Sequence, residues 1–336
     1  MSHEIRTLCD DLSHAAAERL LPDAPRYRMG VVDVAIHDHG GALARAAGRH
    51  LPAAGGPVGV DVVTYLDPGA IVRADAAAYP WHQRNTAEFS RHGLRGTFHR
   101  DERRIELYWP DRALAVRILA DWADLPPWDE TSPLVDLGKA INAEAGAVLL
   151  HGATLGIGKT CALMSGPGGS GKSVLTLAGL RLGMTSVGDD YAYLRRATDG
   201  GFEAHAYSLC GKQTDAGLRL LGLEGPPGED ATRNWQGKHV FPIAVTQAHP
   251  LRVGAHVAPI LSDRRRIVDA PAREMFAHLV HSTVMQLQNA QPQTMAMGAA
   301  ICRAVPNLIF EMDADPVGNA RYLRDHLAER FANLAA

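Results

Sequence analysis

This sequence is short of several features that would otherwise settle its class. It has 4 cysteines, Cys9, Cys161, Cys210 and Cys302, far apart and with no C-x-x-C pair. That excludes the common zinc spacings and fits a reducing compartment. No run approaches the roughly 18 apolar residues that a membrane span requires. The N-terminal stretch carries Glu4, Asp10 and Asp11 without an apolar core, so a secretory signal is not expected. Neither sign of charge dominates: the formal net charge is −3, which gives no reason to expect a nucleic-acid or membrane partner. The arginine-rich stretches 99–104 and 263–266 are short or interrupted by acids, and read as solvated faces. A cytoplasmic protein is the expectation.

What is present is an ordinary globular composition, 46% hydrophobic and 21% charged, over 336 residues, which leaves room for two domains. Histidine is abundant, at 16. His37-Asp38-His39 lies beside Gly40-Gly41 with no third ligand in view, and reads as a surface loop. In the first half, residues 5–21 have the pattern of an amphipathic helix. Residues 58–65 and 70–73 read as strands, and 97–99, 104–109 and 112–121 alternate like half-buried strands. Pro126-Pro127-Trp128 and Pro133 mark a break taken as the domain boundary.

The most informative stretch is Gly166-Pro167-Gly168-Gly169-Ser170-Gly171-Lys172-Ser173, which fits the phosphate-binding pattern G-x-x-x-x-G-K-[ST]. An apolar run at 161–165 precedes it as a short strand. Residues 174–182 follow as a helix closed by Gly183. Such a loop works as strand, glycine-rich turn and helix N-terminus. Backbone N–H groups wrap the phosphates, Lys172 reaches the outer ones and the Ser173 hydroxyl ligates Mg²⁺. ATP and Mg²⁺ are the expected ligands.

Residues 133–145 read as a helix, and 146–154 and 159–165 as strands joined by a glycine-rich turn at 155–158. If that hairpin pairs about Ile157, His151 lies across from Leu163, close to the phosphate loop. Beyond the loop helix, 184–194 reads as an apolar strand carrying Asp189 and Asp190. Neighbours on a strand face opposite sides, so the two carboxylates divide the work. One holds Mg²⁺ and the other accepts the proton of an incoming hydroxyl, and the residues leave open which is the base. Ser173 with Asp190 is the expected metal pair. His151 is expected to hydrogen-bond the catalytic Asp. Farther on, 272–284 and 294–304 read as helices, 305–312 as a strand and 319–334 as a terminal helix.

Three segments, 149–158, 164–173 and 182–190, resemble the kinase domain of HPr kinase/phosphorylase. That family carries a His-Gly hairpin, a phosphate loop and an Asp-Asp strand in this order. The chain is similar, over more of its length, to the HPr-kinase-related group that accompanies peptide-modification genes and includes lasso-peptide kinases. The matching stretches are 133–137, Tyr207-Ser-Leu-Cys-Gly-Lys212, Lys238-His-Val-Phe-Pro242 and His281-Ser-Thr-Val-Met-Gln-Leu287. The downstream Arg-Gly-Leu-Gly segment of HPr kinases is absent, so neither phosphorylase activity nor the HPr protein as substrate is expected. The resemblance singles out Lys212, and less so Lys238, as groups that neutralise phosphate or substrate charge.

The resulting expectation is an α/β protein. A phosphate-loop kinase domain of the HPr kinase/phosphoenolpyruvate carboxykinase-like type spans 133–336, after an N-terminal α+β domain over 1–132 suited to substrate or peptide recognition. The expected activity is transfer of the γ-phosphate of ATP to a serine hydroxyl of a peptide or protein, such as a lasso-type precursor. A kinase for a small alcohol such as free serine, and a nucleotide-gated peptide-binding module without transfer, are the rival readings. A homo-oligomer is compatible with the sequence.

Overall fold

Ile5, Leu8, Leu12 and Ala16 recur at the spacing of an amphipathic helix, and all four are buried along α1 (His3–Ala17). This helix opens the first of two units into which the chain divides, Met1–Ala145 and Gly146–Ala336. The computed structural model describes residues 3–76, 86–91, 93–228, 230–246, 249–287 and 292–332.

The first unit contains β1 (Arg26–Met29), β2 (Val32–Asp38), α2 (Ala42–His50), β3 (Val60–Leu66), α3 (Pro68–Ala76), β4 (Thr86–Arg91), β5 (Leu94–His99), β6 (Arg104–Trp109), β7 (Leu114–Leu119) and α4 (Val135–Glu144). Its seven strands form one sheet in the order β1-β2-β3-β7-β6-β5-β4, with β2, β3 and β7 parallel. On one face Val63, Leu107, Val116 and Ile118 pack with Leu8 and Leu12 of α1 and Ile71 of α3.

Several expectations change in this unit. Residues 70–73 are helical: Asp67 Oδ1 accepts the Ala70 N–H at 2.8 Å as an N-terminal cap, Pro68 opens the helix, and Ala70, Ile71 and Ala74 share a buried face. His37 belongs to β2 and is buried, accepting the Leu21 N–H at Nδ1 (2.7 Å) with Nε2 2.9 Å from Asp61 Oδ1. The alternation of β6 and β7 is real, but both faces are covered, so neither strand is half-solvated.

The second face explains why Arg104 is 0% exposed. Its guanidinium meets Glu102, Glu106 and Asp136, while Arg117 meets Glu106 and Asp129. These pairs tie α4 and the Pro-rich stretch before it to the sheet, which moves the unit boundary from the expected 132/133 to 145/146. His99, Glu106 and Asp136 offer ligand atoms within 4.8 Å of one another. Arg104, Arg117 and Lys139 already lie against those carboxylates, leaving little attraction for a further cation.

The second unit begins with β8 (Ala147–His151), β9 (Ala153–Ile157), β10 (Thr160–Met164) and α5 (Lys172–Arg181). There follow β11 (Tyr191–Arg196), β12 (Phe202–Ala206), β13 (Cys210–Gln213), α6 (Asp215–Leu220), β14 (Thr232–Arg233) and β15 (His239–Pro242). The chain continues through β16 (Leu251–Leu261), β17 (Arg266–Asp269), α7 (Ala272–Gln286), α8 (Pro292–Ala304), β18 (Asn307–Met312) and α9 (Pro316–Ala332). Residues 333 and 334 of the expected terminal helix lie outside the described residues.

Strands β10, β16 and β18 run parallel at the centre of an eight-stranded sheet, and β13-β15-β14 form a small sheet of their own. Leu175 and Ala178 of α5 and Leu323 and Leu327 of α9 pack on Met164, Val257 and Phe310. Met275 and Leu279 of α7 and Ile301 of α8 share the other main core with Leu163 and Ala258. The molecule is thus a mixed α/β protein with several sheets. Among the described residues no helix is long and apolar enough to cross a membrane, and all four cysteines are free and buried.

Two expectations near the loop are corrected. The hairpin turns at Gly158-Lys159, so Leu163 faces Thr154; His151 lies on the preceding strand β8 and faces Tyr191 of β11. Gly152 separates β8 from β9, and a Cβ there would come 2.7 Å from the Met164 carbonyl oxygen. Asp189 and Asp190 precede β11 rather than closing a strand. The segment before them is irregular, and bonds β9 through Thr154 N–H to Gly188 C=O (2.9 Å) and Gly156 N–H to Thr185 C=O (2.8 Å).

Candidate phosphate-transfer site

The site starts where β10 ends. Ser165 N–H bonds the Val257 carbonyl at 3.0 Å, which aligns the strand end with β16, and the chain then turns through the glycine-rich loop into α5. Gly169 (φ 83°) and Gly171 (φ 91°) sit in the left-handed region that side chains disfavour. A Cβ at Gly171 would also come 2.7 Å from Met312 Cε. The remaining loop residues, Gly166, Pro167, Gly168 and Ser170, complete the turn, with Ser170 N–H bonded to the Pro167 carbonyl at 3.2 Å. At the far end α5 closes as a Schellman motif: Gly183 N–H reaches Leu180 C=O and Met184 N–H reaches Gly179 C=O, both at 3.0 Å.

Lys172 is buried at the start of α5, and its Nζ donates to the carbonyls of Gly166 (2.6 Å) and Pro167 (3.1 Å). Burial lowers its pKa, with Lys238 acting in the same direction and Asp190 and Asp189 opposing. Behind the loop, Ser165 Oγ lies 2.6 Å from His256 Nε2, and His256 Nδ1 lies 3.4 Å from Cys302 Sγ. Burial takes His256 down to about 4, so this chain of groups is neutral and structural.

The two aspartates have separate partners. Asp189 is 2% exposed; its Oδ2 accepts the Lys212 backbone N–H at 3.0 Å, and the Ser173 hydroxyl nearby favours its ionised form. Its other oxygen, Oδ1, is buried with no hydrogen-bond partner among the described residues. Burial raises its pKa to about 6 against the Lys212 N–H bond, and Asp190 adds to the rise. The Asp190 side chain is 31% exposed. Its Oδ2 takes Lys212 Nζ at 2.9 Å, and its Oδ1 faces His151 Nε2 at 3.2 Å. Burial opposes its ionisation, but the Lys212 ammonium and the His151 ring hold its carboxyl well below the usual range.

Lys212 therefore ties the pair together through main chain and side chain. It sits on β13, paired with Val240 of β15, and Asp190 raises its pKa against the effect of burial. Lys238 enters the site only through its charge near Lys172; its own N–H bonds Asn234 Oδ1 at 2.9 Å. The Ser173 hydroxyl favours the ionised form of Asp189.

His151 is anchored by a residue to which sequence reasoning gave no role. Ser282 of α7 places Oγ 2.7 Å from His151 Nδ1 and 3.0 Å from the His151 carbonyl. The edge of Tyr191 closes another side of the ring, with centroids 5.6 Å apart. Ser282 lies in the 281–287 segment of the resemblance, but a serine inside an apolar helix carries no local sign of a partner on a strand 131 residues away. The side chains of Met285 and Gln286 lie outside the described residues.

No family model and no curated protein matches this chain. Among solved structures, the Hpr(Ser) kinase/phosphatase from Coxiella burnetii is similar over 54% of this chain and 97% of its own, at 15% identity and a TM-score of 0.29. It is a distant likeness.

Proposed function

We propose that this chain is an ATP- and Mg²⁺-dependent kinase with a phosphate-loop domain of the HPr-kinase type, transferring the γ-phosphoryl group to a serine hydroxyl of a peptide or protein. The observation that carries this reading is the meeting of the loop with two differently equipped carboxylates. Ser173 lies near Asp189, and Asp190 is held by Lys212 and His151. Phosphoryl transfer asks for this combination: a phosphate cradle, a metal-side carboxylate and an acceptor-side carboxylate.

The residues fit a metal at Asp189. Its Oδ1 is a buried carboxylate oxygen with no hydrogen-bond partner among the described residues, on a side chain near the loop hydroxyl of Ser173. Magnesium, when bound, supplies positive charge to the phosphates and to this carboxylate. Lys172 and the backbone N–H groups of 166–173 bind the phosphates, and Lys212 fixes both carboxylates.

Access assigns the other role to Asp190, the more exposed of the two. It accepts a hydrogen bond from the incoming hydroxyl, orients its oxygen towards the γ-phosphorus and takes the proton as the new O–P bond forms and ADP leaves. A carboxylate kept ionised suits this task, because a loose transition state asks the protein mainly for orientation. The chain's preference for peptide serine rests on the resemblance of 133–137, 207–212, 238–242 and 281–287 to peptide-modifying kinases.

The test is phosphate transfer from labelled ATP, with Mg²⁺, to serine-containing peptides, to free serine and to no acceptor. Transfer to peptide alone supports the proposal, and transfer to free serine would make this a small-molecule kinase. Mg²⁺-dependent binding without transfer would leave a nucleotide-gated binding module, and absence of Mg²⁺-dependent ATP binding would overturn the whole reading.

A further inference from the structure

We propose that Leu261 is the apolar seat of the nucleoside, receiving the base and ribose of the triphosphate whose phosphates lie in the loop, a placement that rests on the kinase reading. Side chains alternate along β16. Ala255 and Val257 pack in the core with α5 and α9, whereas Ala258 packs on the opposite face. Leu261 continues the row of Ala255 and Val257, but it ends the strand and stands beside Gly171, the residue before α5. A Cβ on Gly171 would come 3.6 Å from Leu261 Cδ2 and 2.7 Å from Met312 Cε. Met312, the partner of Leu261 across β16 and β18, is buried, yet Leu261 is 69% exposed. The apolar row thus runs out from under the helix at the edge of the phosphate loop.

The order of strands decides which part of the nucleotide reaches this place. β10 leads into the loop, and to one side of it lie β9 and then the 185–190 segment. To the other side lie β16 and then β18. The segment carrying Asp190 is therefore across the loop from Leu261. In phosphoryl transfer the attacking and leaving oxygens lie roughly in line, with phosphorus between them. An acceptor hydroxyl at Asp190 directs the ADP moiety away from 185–190 and over the carboxyl ends of β16 and β18. Ligands of open α/β sheets lie beyond such strand ends. Ser262 N–H bonds the Met312 carbonyl at 2.8 Å, so the chain beyond Leu261 is still tied to β18.

Single exposed apolar residues are common on protein surfaces. What distinguishes Leu261 is its place beside the loop glycine, on the side that the leaving group must take. A base laid on it would remove apolar surface from water on both partners. Loss of that contact should weaken the nucleotide but not its phosphate chain, which Lys172 and the loop N–H groups hold. Inorganic triphosphate carries the phosphates without the nucleoside and separates the two contributions.

The experiment is calorimetry on the full chain with Mg²⁺, comparing ATP with inorganic triphosphate. Leu261→Ser should weaken ATP binding at least about fivefold and triphosphate binding less than about twofold. Leu261→Met, which stays apolar, should bind ATP within about twofold of the wild type. A second readout is alkylation of the thiol introduced by Leu261→Cys, since the chain's own four cysteines are buried. Saturating ATP should slow that alkylation at least about fivefold, and saturating triphosphate should not. Equal changes for the two ligands in folded Leu261→Ser, or an alkylation rate that ATP leaves unchanged, would overturn the proposal. If Leu261→Ser does not fold, the thiol readout decides alone. Slowing by a serine-containing peptide instead of ATP would place the acceptor there and also overturn it. Wild-type protein that binds neither ligand defeats the phosphate-loop reading and the nucleoside seat together. Binding of both without dependence on Leu261 removes only the seat.

Discussion

The sheet face beneath α4 in the first unit and the loop side of the second each bury a set of charged groups, and the two sets are finished differently. In the first, Arg104, Arg117 and Lys139 lie against Glu102, Glu106, Asp129 and Asp136, and the arginines are out of reach of solvent. In the second, Asp189 keeps a buried oxygen with no hydrogen-bond partner among the described residues, as Glu106 does in the first, but here the neighbouring Asp190 remains partly exposed. Burial shifts pKa values in both places: Glu106 is lowered when Arg104 and Arg117 outweigh burial, and Asp189 is raised when burial prevails. A perturbed pKa therefore does not separate structure from chemistry here. What differs is the setting: the Asp189 oxygen stands near the glycine-rich loop that opens α5.

The largest effect that would sharpen this contrast belongs to the first unit. Arg104→Met leaves Glu106 and Asp136 short of a buried partner, and should cost about 3–5 kcal/mol of stability. Urea unfolding measures the loss, and ATP affinity of the folded variant should stay within about twofold. A loss below about 1 kcal/mol would remove the structural role assigned to the network.

In the second unit the effect should appear in turnover. Asp190→Asn should lower phosphate transfer at least about 100-fold while ATP affinity by calorimetry changes little. If Asp190→Asn transfers phosphate as fast as the wild type, the acceptor role does not belong to this residue.

Next comes a pH signature. Asp189 has a folded pKa near 6 against about 3.9 for an unfolded Asp. Because the folded value is raised, its contribution to stability is present below about pH 4 and is lost as pH rises through about 6. Asp190 has the opposite sign: its pKa is lowered, so its contribution is present above about pH 4 and is lost on acidification. Without Mg²⁺, the unfolding free energy of Asp189→Asn relative to the wild type should therefore rise by on the order of 2–3 kcal/mol from pH 4 to pH 7. A difference that does not vary with pH would show that Asp189 is no more costly to ionise than a surface carboxylate.

The smallest predicted effect is at the loop lysine. Lys172→Ala removes a cation from the phosphate side and should weaken ATP binding at least about tenfold, measured by calorimetry with Mg²⁺. Equal affinity in the variant would separate the loop from nucleotide binding and erase the contrast between the two units.

Much of the second unit was legible from residue order. Strand, glycine loop and helix at 160–181 follow from an apolar run, left-handed glycines and a helical repeat that act within a few residues of one another. Helices α7, α8 and α9 were legible for the same reason. The errors share a different origin. The stretch 70–73 is apolar enough for a strand, and the Asp67 cap decided for a helix. His151 was brought to the aspartates by the wrong pairing: β8 meets β11, a neighbour about forty residues away, and not the adjacent hairpin strand. Arg104 looked solvated because its partner Asp136 lies on a helix that only the fold lays across β6.

Local signals were enough for the glycine-rich loop between strand and helix, the charged residues near it and the general α/β character, because backbone preference and periodic burial act over short stretches of chain. Packing in space was needed to bring Asp190 to His151 and Lys212, and Ser282 to the His151 ring. Hydrogen-bond partners are chosen by distance in space, and a sheet brings together side chains whose separation along the chain carries no trace of that meeting.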